Sequence, residues 1–91
     1  MSDKKIILSS LALDLRRVAL GYYRGSNKMA ERFFDEALKR KSEGETIEFA
    51  PYVKKLLEEF ENIRFIKDEK KKAEVALMYS VLFQNAAVFA S

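Results

Sequence analysis

Apolar residues recur early in the chain at steps of three and four: Leu8, Leu11, Leu15, Val18 and Tyr22. That spacing puts them on one side of a helix, and it predicts a first helix over about residues 4–24. Ala12, Ala19 and Tyr23 widen the stripe, while Ile6, Leu13 and Leu20 form a second apolar line about a third of a turn away. Only Ser10, Asp14, Arg17, Gly21 and Arg24 make a coherent polar row, expected to face water. A helix of this kind must cover apolar surface on two sides.

Gly25 suits the left-handed residue that ends a helix, and Ser26 or Asn27 is placed to cap the next by accepting orphan backbone N–H groups. So short a connection predicts that helices one and two form an antiparallel hairpin. Helix two is expected over 27–41, with Met29, Ala30, Phe33, Phe34, Ala37 and Leu38 inward. Glu31 and Asp35 near its start and Lys39 and Arg40 near its end complement the helix dipole.

Gly44 interrupts this helix, and Pro51 fits the first position of a third, where its missing N–H costs nothing. Between them Ile47 and Phe49 alternate with Glu48, which suggests a short extended or 3₁₀ piece over the core. Helix three is expected over 51–65, with Val53, Leu56, Leu57, Phe60 and Ile63 inside. Asp68 is the expected cap of helix four, over 69–90. No glycine or proline separates these last two, so a single bent helix is the alternative. The 91 residues therefore read as one all-α, four-helix bundle-like domain spanning 1–91.

Val75 to Ala90 carries no charge, and its apolar residues point in every direction. Val75, Met78, Leu82 and Phe89 lie on one side and Leu77, Val81 and Val88 on another. A third seam, Ala73, Ala76, Ser80, Phe83, Ala87 and Ala90, is mostly small and lets a second backbone approach. A helix without a polar face is normally surrounded by protein. Either the other three helices wrap it, or it meets its counterpart in another subunit. The two-sided first helix favours the second resolution. The expected oligomer interface comprises Leu13, Leu20, Leu77, Val81, Val88, Ala76, Ser80, Phe83 and Ala87, in a dimer for preference.

Composition narrows the chemistry. With no cysteine or histidine, the chain lacks thiolate ligands, a catalytic thiol and the commonest general base. Its serines have no imidazole to activate them. Glu58 and Glu61, three apart on helix three, are the exception to a non-enzymatic reading, because paired carboxylates can hold magnesium; Glu45 and Glu48 repeat the spacing in the preceding loop. Balance by Lys54, Lys55 and Lys72 makes a solvated face the preferred reading, with no metal or cofactor expected. The apolar run Ile6 to Leu8 is too short for a secretory signal, and Val75 to Ala90 is shorter than the ~20 residues that span a bilayer. A cytoplasmic protein with no membrane partner is expected.

The net charge of +3 is uneven: residues 1–24, 26–41 and 64–74 are basic, and residues 43–61 are acidic. The corner between helices one and two, with Arg17, Arg24, Ser26, Asn27 and Lys28 near Tyr22 and Tyr23, offers basic groups and backbone N–H donors to an anion. The functional expectation is a homo-oligomeric scaffold or protein–protein interaction module without catalysis, its protein partner unidentified. RNA or a phosphorylated ligand at the basic corner is the alternative.

Overall fold

The computed structural model describes residues 3–90. Four α-helices follow one another: α1 (Asp3–Tyr23), α2 (Asn27–Glu43), α3 (Pro51–Glu59) and α4 (Glu69–Phe89), with a 3₁₀ segment, Phe60–Phe65, continuing α3. The molecule is the expected all-α bundle with α1 and α2 as an antiparallel hairpin. Gly25 takes a left-handed φ of 73°. Around it the Ser26 N–H donates to the Gly21 carbonyl at 2.8 Å and the Gly25 N–H to the Tyr22 carbonyl at 3.1 Å. This pair of bonds is the Schellman closure of a helix end. Ser26 does occupy the N-cap of α2, but its side chain accepts no capping bond. The turn itself aligns the two helices, so side-chain capping is not what joins them.

Pro51 opens α3, and the Asp68 side chain caps α4 by accepting from the Lys70 N–H at 3.0 Å. Helices three and four are separate, because Ile66 is extended (φ −74°, ψ 129°) between them. The tightening from α to 3₁₀ at Phe60 has a packing reason. In a 3₁₀ turn residues three apart eclipse one another, which points both Phe60 and Ile63 inward, and both are buried.

α1 is the central helix, packed most extensively on α4 and next on α2. Leu8, Leu11, Leu15 and Val18 are the heart of the core. α3 and its 3₁₀ extension lie over one side. There the Phe60 ring stands edge-on to Phe34 of α2 (6.1 Å between centroids) and to Phe83 of α4 (5.7 Å). Lys41 of α2 pairs with Glu61 at 3.2 Å across the same junction. Phe49 is buried and Ile47 packs against the core in the connection before α3, with Glu48 exposed.

One expectation needs correction. The polar row of α1 does not all face water: Asp14 and Gly21 are buried. Gly21 allows close approach, since a Cβ built on it would lie 2.7 Å from the Ala30 backbone nitrogen of α2. Of the two resolutions for α4, enclosure by the other three helices is not the one found. α4 runs antiparallel to α1, with Lys72 over the Tyr22 ring at one end and Ala86 and Phe89 sharing a pocket with Lys4 and Leu8 at the other. Phe83 packs on Phe60 of the 3₁₀ segment, and the side that carries Leu77, Val81 and Val88 stays open.

Candidate interaction face

The small seam of α4 is spent inside the chain. Ala76, Ser80, Phe83 and Ala87 are buried in the single molecule, together with Ala73 and Ala86. Small side chains let α1 approach closely along this line, and Ser80 satisfies its hydroxyl by donating to the Leu77 carbonyl at 2.7 Å. Ala76, Phe83 and Ala87 therefore have no surface to offer a second subunit, which removes them from the expected interface, and Ser80 keeps only an edge of the groove described below.

The large residues of that set point outward. Leu13, Leu20, Leu77, Val81 and Val88 are between 38 and 59% exposed. Three of them meet on one surface of the α1–α4 pair. Leu13 of α1 and Leu77 and Val81 of α4 line a shared groove of about 300 Å³, with Ala12, Arg16, Ser80 and Gln84 completing it. Leu77 and Val81 also border a depression shared with Tyr23, Met78 and Leu82, so the apolar surface continues around α4. Ile6, also exposed, extends the Leu13–Leu20 line. Periodicity identified the apolar lines; packing decided which of them meets water.

The basic corner is less coherent. Arg24, Asn27 and Lys28 are exposed, but Arg17 lies two turns back with its guanidinium 5.1 Å over the Phe33 ring. The Asn27 amide donates to Glu69 at 3.0 Å. Burial, with the charges of Glu31 and Glu69, pushes the Tyr22 hydroxyl above its ordinary range. Glu69 thus already occupies the Asn27 amide, and Lys72 covers the Tyr22 ring that would stack on a base.

The carboxylates of helix three and of the loop before it do not converge: Glu58 is exposed, and others are dispersed into separate pairs. Glu61 bonds Lys41, Glu48 lies 4.0 Å from Lys54, and Glu59 lies 4.0 Å from Lys55. Among the described residues no three acids gather as a metal site would require.

One polar arrangement was not anticipated. Asp14 sits at the α1–α2 contact, and burial raises its carboxyl above the usual range, Glu36 adding to the rise while Arg40 and Arg17 oppose it. Asp14 Oδ2 and Arg40 Nε are both buried without a hydrogen-bond partner. The sequence signal was the run of small or short polar residues Ser10, Asp14 and Gly21 opposite Ala30 and Ala37, which reads as close helix contact as readily as a wet face.

Among the described residues no helix is long and apolar enough to cross a membrane. No protein-family model matches this chain, and neither a curated protein nor a solved structure does.

Proposed function

We propose that this chain is a small homo-oligomeric interaction module without catalysis, assembling through the open α1–α4 face, in its simplest form as a two-fold dimer. The observation that carries the reading is the continuity of that face. Ile6, Leu13, Leu20, Leu77, Met78, Val81, Leu82 and Val88 are all exposed, on two adjoining helices. Large apolar patches left in the open on a small chain mark interaction sites. Covering a large side chain is worth roughly 1.5–3 kcal/mol, which makes leaving the whole strip in water costly. A cytoplasmic setting remains part of the proposal.

Sedimentation of the wild type and of L77R/V81R at micromolar concentration tests it. The wild type is expected to sediment as a multiple of 10.5 kDa and the double variant as a folded monomer with unchanged helical circular dichroism. A wild type that stays monomeric at about 100 µM would end the dimer reading, since its dissociation constant would then be about 1 mM or weaker, no more than about 4 kcal/mol of binding. The same preparation addresses the RNA alternative. Nucleic acid that co-purifies and is stripped by salt would shift attention to Arg24 and Lys28.

A further inference from the structure

A recess of about 160 Å³ lies between α2, the 3₁₀ segment and the first turn of α4, and it shares no residue with the α1–α4 groove. Its floor is apolar: Phe34 and Ile63 are buried there, with Tyr22 of α1 beside them. Its rim carries both signs of charge, and the fold sorts them by element. Glu31 and Asp35, one turn apart on α2, supply the acids, while Arg64 of the 3₁₀ segment and Lys72 of α4 supply the bases. None of these four belongs to an ion pair among the described residues. Lys72 is held instead over the Tyr22 ring at 5.3 Å and Arg64 over the Phe65 ring at 5.1 Å. Each cation is steadied without being neutralised, and the two acids keep their acceptor oxygens free of a basic partner.

We infer that this recess binds a free α-amino acid with a small apolar side chain. A metal ion drawn by the carboxylates would be repelled by Arg64 and Lys72, and a phosphate drawn by the bases would be repelled by Glu31 and Asp35. Only a molecule carrying both charges complements the whole rim. An α-amino acid near neutral pH holds an ammonium and a carboxylate on one carbon. Its ammonium has three N–H groups to donate to Glu31 and Asp35. Its carboxylate accepts from Lys72 and from the planar guanidinium of Arg64, whose paired N–H groups match two carboxylate oxygens. The side chain rests on Phe34 and Ile63. A drug-sized ligand takes about 300 Å³ or more, so this smaller recess limits the ligand to a few heavy atoms. A peptide fails the charge condition, because its chain separates the two termini.

Titration calorimetry of the full chain at pH 7 with L-valine tests this, against two analogues. Valinamide keeps the ammonium and loses the carboxylate, and isovalerate keeps the carboxylate and loses the ammonium. Valine is expected to bind at least about tenfold tighter than either, since each analogue forfeits the charge-assisted bonds to one side of the rim. Glu31 and Asp35 are exposed, so E31Q/D35N spares the fold, and circular dichroism checks it and K72M alike. Each variant is expected to weaken valine binding by about tenfold or more. No heat from L-alanine, L-valine or L-leucine at about 10 mM, a weaker contact than any useful affinity, overturns the proposal. An analogue that binds as tightly as valine, or either variant with wild-type affinity, overturns it equally. Sedimentation decides the dimer reading separately, because that reading uses none of these residues.

Discussion

Gly21 of α1 rests against Ala30 of α2 with no room for a side chain: a Cβ at position 21 would lie 2.7 Å from the Ala30 nitrogen and 2.9 Å from its Cα. Both atoms are backbone, so neither can rotate away. Contact between the hairpin helices is therefore set by the absence of a side chain. G21A should destabilise the fold by about 1–3 kcal/mol, the cost of overpacking outweighing the helix propensity gained. Chemical denaturation at fixed protein concentration measures it, and a stability equal to wild type would show that the helices separate freely.

Phe60 joins the two outer helices by edge contacts with Phe34 and Phe83, and it is completely buried. F60A should cost about 3–5 kcal/mol. F60L fills most of the volume without the ring edges and should cost less. Urea midpoints of the pair would show this ordering, and an F60L protein as stable as wild type would deny the edge contacts any role.

Gly25 has a φ of 73° and open space around the position of its missing Cβ. Its requirement is conformational, so G25A should cost about 1 kcal/mol and G25N less, asparagine tolerating the left-handed region better. Thermal melts of both variants decide whether the turn or a packing clash is at stake.

Asp14 ties stability to pH. Unfolded, its carboxyl ionises near 3.8, and in the folded chain burial moves that ionisation upward. Below the unfolded value both states hold the proton and the site exacts no penalty. As pH rises through the folded value, the unfolded chain releases the proton more readily and stability falls. D14N should therefore melt higher than wild type at pH 7, with the gap closing below the ordinary carboxylate range. A D14N protein less stable than wild type at pH 7 would mean that attraction to Arg40 outweighs burial.

The limits of the elements were legible in the chain because their causes are local. Gly25 permits a backbone angle, Pro51 lacks a donor where none is needed, and Asp68 reaches its own helix start. Steps of three and four then placed Leu8, Leu11, Leu15 and Val18 inward, and they are inward. The apolar lines of α1 and α4 were legible too, as was the surplus of apolar surface over what four short helices can cover.

Only the tertiary structure decided which line goes inside. In α4 every direction is apolar, so hydrophobicity cannot rank them; closeness of approach does. Ala73, Ala76, Ser80 and Ala87 bring the α1 and α4 backbones together, and the bulkier Leu77, Val81 and Val88 are left outside. The same rule set Gly21 against Ala30 and left Asp14 buried, against their polarity. Periodicity reports how side chains are arrayed around one helix, whereas burial depends on the shape of the neighbour, and shape here favoured the small residues over the greasy ones.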